Sequence, residues 1–225
     1  MHRLINLICF IVLNFPPLVS SGQVTSFSID NTKLNKPLSD SLGAIYKSDQ
    51  LIRMAYAQAR QQKKPGESID SLMNEMKKID LENLKKVNAI VRDNGWLGPQ
   101  TIGIEGAQGL FLVIQHADLE TQEHYLPLIR KAEKEGEILS SNLAILEDRI
   151  CMRKGKNQIY GSQGFTDKET GKKYIYPIGN IDGLEDRRKA MGMPPMKDYV
   201  KGWNLEEYKK DLPNIERIVK KQNVK

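Results

Sequence analysis

The chain has 225 residues, of which 40% are hydrophobic and 28% charged, and it carries a net charge of +6 at pH 7. This composition is typical of a folded globular protein and excludes general disorder. The positive charges are spread along the chain and interleaved with acidic residues, whereas nucleic-acid readers concentrate them on one face. The composition therefore predicts a globular protein that does not bind nucleic acid.

Residues 1–22 have the pattern of a secretory signal peptide. His2 and Arg3 precede an apolar stretch over residues 4–13, and two prolines and several small residues follow it. A membrane-spanning helix needs about 20 apolar residues, and asparagines and prolines interrupt this stretch. The sequence predicts an exported protein, periplasmic or secreted, with no integral membrane span after cleavage. Retention of the segment as an anchor is the alternative.

Helical periodicity begins after a polar segment that we interpret as a flexible leader, residues 23–36. A single domain is predicted over residues 37–202. Its first three predicted helices are recognised by apolar stripes, N-capping residues and Gly or Pro stops, and they cover residues 37–62, residues 68–78 and a stretch from a cap at Asp80 to Asn94.

The first predicted helix carries a polar pair on its apolar stripe. Asp49 occupies a stripe position, and Arg53 follows it by four residues. Residues at this spacing are neighbours on a helix surface. We therefore expect a carboxylate and a guanidinium side by side at or near the buried face.

Residues 103–117 predict the central helix of the domain. The run from Leu110 to Ile114 is apolar on every side of a helix, and the glycines before it allow close approach of neighbouring helices. Asp118 then has the position of an N-cap for a helix over residues 119–135. A further helix over residues 142–154 is largely apolar, and Asp148 and Arg149 interrupt it.

The periodicity changes after this helix. Residues 158–161 and 173–176 alternate around a polar connection, which predicts one β-hairpin within residues 157–178. A short helix follows over residues 182–192. The remainder is predicted to be short helical pieces on the outside of the domain, and residues 203–225 a basic peripheral segment with a frayed end. The predicted fold class is mainly α (α+β), a compact helical domain around one central apolar helix with a C-terminal hairpin.

A histidine lies at the end of the predicted central helix, two residues before Asp118. His116 and Asp118 are consistent with a general base and its orienting carboxylate, or with a helix-terminal histidine followed by a capping residue. A metal site is not predicted, because His116 and His124 are the only histidines after residue 22 and zinc sites use more ligands. Nucleophile-elbow and phosphate-loop motifs are absent, so no cofactor is predicted.

Several short motifs in this order resemble a family of uncharacterised, largely bacterial proteins classed as a domain of unknown function. The resemblance covers about residues 38–200. Three positions in two motifs depart from the family pattern: Leu97-Gly98 replace Pro-Thr, and Ser162 replaces a favoured Thr. The motifs are Asp49-Gln50 with Arg53, Gly95-Trp96, Gly103 with Ala107, residues 115–118, residues 126–128, Asp148-Arg149, Gln158 with residues 160–163, Pro177-Ile178, and Arg187 with Met191-Gly192.

The matching residues are mostly polar ones that an apolar core would exclude. We hypothesise that they meet in one polar pocket, where His116 is the acid or base and Asp148 orients it. Arg149 would hold an anionic group, while Tyr160 and the glutamines would fix polar ligand groups. The predicted catalytic residues are His116, Asp118 and Asp148, and the predicted ligand-binding residues are Arg149, Gln158, Tyr160, Gln163, Asp49 and Arg53.

Three functions fit this pattern, and the sequence leaves open whether the protein is an enzyme. The first is a hydrolase-like enzyme acting on a small anionic or glycan-type substrate. The second is a non-catalytic module that binds a small molecule or a cell-envelope component. In the third, the polar residues form a structural network alone, since buried charges must be paired or hydrogen-bonded.

Overall fold

A computed structural model describes residues 24–224, which form two compact units. The N-terminal unit is Ser26–Leu139, and the C-terminal unit contains residues 140–224 together with Val24 and Thr25. The fold is mainly α with one small antiparallel hairpin, as predicted. The predicted signal peptide lies outside the described residues. Within residues 24–224, every helix is too short or too polar to cross a membrane.

The N-terminal unit is built from four α-helices. They are α1 (Lys36–Gln61), α2 (Gly66–Asn94), α3 (Pro99–His116) and α4 (Leu119–Lys134). Asn35 caps α1 by accepting a hydrogen bond from the Leu38 amide, and Gly95, at φ 72°, ends α2. The predicted starts and ends of the first, third and fourth of these helices are close to the observed ones.

The prediction of two helices between residues 68 and 94 is wrong, because α2 runs through without a break. Asp80 lies inside α2 and does not cap a new helix. Its carboxylate instead accepts a hydrogen bond from Arg53 of α1 at 2.6 Å. Asp80 therefore resembles an N-cap in the sequence, although its carboxylate binds a side chain on another helix.

α3 is the buried central helix of its unit, as predicted. Leu110, Phe111 and Ile114 are at most 2% exposed. A Cβ atom at Gly109 would lie 2.5 Å from the carbonyl oxygen of Leu42, so only glycine allows α1 to pack this closely. Gly103 has φ 71° and kinks the first turn of α3, a break that the sequence prediction missed.

The C-terminal unit contains α5 (Ser140–Arg153), a hairpin of β1 (Gly164–Thr166) and β2 (Lys173–Ile175), α6 (Leu184–Ala190), α7 (Met196–Tyr199) and α8 (Leu205–Gln222). Phe165 and Tyr174 are paired across the hairpin. The hairpin is confirmed, but its first strand begins at residue 164 and not at residue 158. Residues 158–163 form a loop instead.

The C-terminal stretch is helical, as predicted, but it forms one long helix and its basic end is not frayed. α8 is 18 residues long, and Asn204 caps it by accepting a hydrogen bond from the Glu207 amide. Tyr208, Ile215 and Ile218 are buried in the core of the C-terminal unit. Pairs of charged residues separate the members of this apolar stripe in the sequence, and its burial holds the helix on its unit.

Candidate functional site

Three helices of the N-terminal unit bring four ionisable side chains together, which we call the histidine cluster. Its members are Asp49 and Arg53 of α1, Asp80 of α2 and His116 of α3. The Nδ1 atom of His116 lies 2.9 Å from Oδ1 of Asp49. The i, i+4 spacing on α1 places Arg53 beside Asp49, with its Nη2 3.1 Å from the same oxygen. The structure therefore joins three of the predicted site residues directly.

Arg53 is the centre of this cluster. Its Nε donates a hydrogen bond to Nδ1 of His116 at 3.0 Å, and its Nη2 donates to Oδ1 of Asp80 at 2.6 Å. Gln50 adds a bond from its Nε2 to Oδ2 of Asp49 at 2.7 Å. Sequence reasoning did not include Asp80 among the site residues, because its position resembled a helix cap.

The histidine cluster is largely removed from solvent. The side chain of His116 is 2% exposed and that of Asp49 is 1% exposed, whereas Asp80 retains 28%. Burial alone would raise the pKa of Asp49, but the hydrogen bond and charge of His116, with the charge of Arg53, lower it to about 2. Asp49 is therefore a carboxylate at neutral pH. Burial raises the pKa of Asp80, and Arg53 opposes the rise.

Asp118 begins α4. Its Oδ1 accepts a hydrogen bond from the backbone N–H of Thr121 at 2.8 Å, which satisfies a helix-terminal donor. The predicted capping role is therefore confirmed. A part in chemistry for Asp118 stays a prediction.

A second polar group lies in the C-terminal unit, and we call it the backbone clasp. It consists of Asp148 on α5, Gln158 and Gln163 in the loop, and Arg187 and Arg188 on α6. Oδ1 of Asp148 accepts hydrogen bonds from the amides of Ile159 and Tyr160 at 2.7 and 2.9 Å, and Oδ2 accepts from the Ser162 amide at 2.8 Å. Burial raises the pKa of Asp148, and these bonds oppose the rise.

The two glutamines close the loop on itself and on the neighbouring strand segment. Nε2 of Gln158 donates to the carbonyls of Gln163 and Tyr176 at 2.9 and 2.8 Å, and Oε1 of Gln158 accepts from the Gln163 amide at 2.5 Å. Nε2 of Gln163 donates to Oγ of Ser162 at 2.9 Å. The amide groups of both side chains thus bond to atoms of the loop itself and to the neighbouring backbone at Tyr176.

The arginines of α6 hold the carbonyls of the same region. Arg187 donates to the carbonyls of Ile159, Gly179 and Asn180 at 2.8 to 2.9 Å. Arg188, which is 0% exposed, donates to the carbonyls of Tyr160 and Pro194 and packs 4.6 Å from the ring of Tyr199. Sequence reasoning noted Arg187 only through the family resemblance and did not single out Arg188.

Two further predicted ligand-binding residues belong to the C-terminal unit. The Tyr160 hydroxyl donates to Oε2 of Glu147 at 3.3 Å, and burial raises the pKa of this phenol far above its usual range. Arg149 lies next to Asp148 on α5 and is 5% exposed. His116 and Asp148 belong to different units, and their meeting in one pocket stays a prediction.

The N-terminal unit also has a surface groove of about 600 Å³. Its wall includes Ile29 of the leader, residues of the first half of α1 and the kinked start of α3, and none of the predicted site residues. Within residues 24–224, no three His, Cys, Asp or Glu side chains are grouped so that they could hold a metal ion.

These features define a mainly α protein with a small hairpin, a buried cluster of acid–base side chains and a clasped loop. The chain belongs to the family described as Family of unknown function (DUF6624), whose family model matches residues 36–209. The predicted membership in an uncharacterised family is therefore confirmed. No curated protein and no solved structure matches the chain.

Proposed function

We propose that the protein is an exported, hydrolase-like enzyme in which His116 is the general base or acid and Asp49 orients it. The observation that carries this proposal is the 2.9 Å contact between Nδ1 of His116 and Oδ1 of Asp49. A carboxylate bonded to one imidazole nitrogen fixes the ring, and the other nitrogen is the atom that would exchange a proton with a substrate or a water molecule. Asp49 thus takes the orienting role that the sequence suggested for Asp148.

The charges of the cluster favour one of the two predicted substrate classes. Asp49 and Asp80 share the single guanidinium of Arg53, through contacts of 3.1 and 2.6 Å with Nη2. A His116 that acts as a base is neutral, and in that state two carboxylates face the one guanidinium, so the cluster carries a net negative charge. An anionic substrate would be repelled at this point, so the proposed substrate is neutral and of the glycan type.

A second candidate is a non-catalytic module that binds a small molecule or an envelope component. It is favoured by the burial of the His116 side chain, which is 2% exposed. Catalysis requires a substrate atom within hydrogen-bond distance of the imidazole. The enzyme proposal therefore requires the cluster to open to a substrate.

An activity screen separates the two candidates. The chain from residue 23 onward is assayed on chromogenic glycosides, carboxyl esters and phosphate esters, with His116→Gln, Asp49→Asn and His124→Gln alongside. We expect a glycoside to be hydrolysed, with at least a roughly 100-fold loss in His116→Gln. His124 is exposed on α4, so His124→Gln is the matched control and should keep full activity.

Two results would contradict the enzyme proposal. One is undiminished hydrolysis by His116→Gln. The other is a complete lack of turnover combined with a glycan-induced rise in melting temperature that His116→Gln merely reduces, which would support the binding module. Export is tested separately, by expressing the full chain in a bacterium and sequencing the N-terminus of the product. We expect it to begin after residue 21 or 22 and to be recovered outside the cytoplasm.

A further inference from the structure

Two groups approach the same nitrogen of His116 and require opposite states of it. Oδ1 of Asp49, at 2.9 Å, can only accept a hydrogen bond, so it requires a proton on Nδ1. Nε of Arg53, at 3.0 Å, can only donate, so it requires a lone pair on Nδ1. Since Nδ1 cannot provide both, only one of these hydrogen bonds exists at a given moment.

Each hydrogen bond belongs to a different neutral tautomer of the ring. When Nδ1–H donates to Asp49, Nε2 carries the lone pair and His116 can accept a proton. When Nδ1 accepts from Arg53, the proton is on Nε2, and His116 cannot act as a base there. The competition between Asp49 and Arg53 therefore sets how much of the histidine is ready to act as a base.

Asp80 determines how firmly Arg53 takes part in this competition. Its Oδ1 lies 2.6 Å from Nη2 of Arg53, the shortest contact of the cluster. This contact joins α2 to the guanidinium and holds it where its Nε points at the imidazole. With Asp80 removed, one of the two carboxylates that fix Nη2 is lost, and the guanidinium can turn away from Nδ1.

We propose that Asp80 is a positioning residue that acts through Arg53 to hold a fraction of His116 in the tautomer that is not a base. This inference rests on the proposed function, since it describes the regulation of the same histidine. The geometry on which it stands is a ring nitrogen between an acceptor and a donor, with the donor anchored by a third helix.

The test is the ¹⁵N NMR spectrum of His116 at a pH of about 8, where an ordinary histidine is neutral. The spectrum distinguishes the two tautomers and the doubly protonated ring, and His116→Gln identifies the signal. We expect Asp80→Asn to shift the signal toward the Nδ1–H form and Asp49→Asn to shift it the opposite way, toward the Nε2–H form. Arg53→Lys should shift it in the same direction as Asp80→Asn.

Controls separate positioning from general disturbance of the fold. Asp70→Asn changes an exposed aspartate of the same helix and should leave the spectrum unchanged, and Asp80→Glu, which retains a carboxylate, should restore the wild-type signal. Shifts in the same direction for Asp49→Asn and Asp80→Asn, or no shift in either, would overturn the inference. The spectrum requires no substrate, so opposite shifts without any hydrolysis would leave the inference standing and remove only the proposed function.

Discussion

The histidine cluster and the backbone clasp each contain a buried carboxylate, and the two carboxylates have different kinds of partner. Asp49 contacts side chains, namely those of His116, Arg53 and Gln50. Asp148 contacts the backbone amides of Ile159, Tyr160 and Ser162. Backbone donors cannot gain or lose a proton, whereas an imidazole can. The same residue type therefore fixes a loop in one unit and faces a titratable group in the other.

This difference has a consequence for what each group can do chemically. In the clasp, carboxylate, amide and guanidinium groups bond mainly to backbone polar groups, and the partners at Ser162, Gln163 and Tyr176 are buried. The loop over residues 158–163 is thereby held without regular strand pairing. In the histidine cluster, three helices supply side chains that bond to one another. Their protonation can change without breaking any backbone hydrogen bond.

The largest expected effect is a loss of stability when Asp148 of the backbone clasp is replaced. Asp148→Asn replaces an oxygen acceptor with an amide donor that faces backbone N–H groups, so at least one buried donor loses its partner. We expect a loss of about 3 kcal/mol in the free energy of unfolding, measured by urea denaturation followed by circular dichroism. Asp186→Asn, an exposed change on α6, is the control and should stay within about 0.5 kcal/mol of wild type. An Asp148→Asn variant with the same free energy of unfolding as wild type would show that the clasp does not hold the loop.

The next largest effect is on the pH dependence of the free energy of unfolding, through Asp49. Its pKa is about 2 in the folded chain, against 3.8 for an unperturbed aspartate. Because the folded pKa is the lower one, the stabilisation by Asp49 is complete above pH 4 and is lost as the pH falls toward 2. The loss amounts to about 2 kcal/mol. Urea unfolding at pH 5 and pH 2.5, in wild type and Asp49→Asn, isolates this contribution, and an equal pH dependence in both proteins would contradict it.

The smallest effect is expected at Asp118. Asp118→Ala removes the acceptor for the Thr121 amide and should cost about 1 kcal/mol, whereas Asp118→Asn retains the oxygen and should change stability only slightly. If a hydrolytic activity is found, capping alone predicts that Asp118→Asn keeps it. Loss of activity in a fully stable Asp118→Asn would instead give Asp118 the chemical role that the sequence suggested.

Short-range patterns in the sequence were enough to predict most helices and the Asp49–Arg53 pair. Apolar residues three and four apart predicted α1, a continuous apolar run predicted α3 and an N-cap predicted α4, while the i, i+4 spacing placed Arg53 next to Asp49. Two predictions failed because the partner of a side chain is distant in the sequence. Asp80 resembled a helix cap, and no local pattern showed that its partner is Arg53, 27 residues away on another helix.

The hairpin error has a similar cause. Residues 158–161 alternate like a strand, but Asp148, 11 and 12 residues earlier, takes the amides of Ile159 and Tyr160. A strand needs those amides for its ladder. No local pattern reveals that a carboxylate on a preceding helix will bind them, although the family resemblance did group Asp148 with this loop.

The central claim is that Asp49 is the carboxylate that orients His116, while Asp148 fixes a loop. The most direct test compares the ¹⁵N spectrum of His116 in Asp49→Asn and Asp148→Asn, each under conditions in which circular dichroism shows it to be folded. We predict a change in the tautomer of His116 in Asp49→Asn and an unchanged tautomer in Asp148→Asn. A tautomer that responds to Asp148→Asn and ignores Asp49→Asn would contradict the claim.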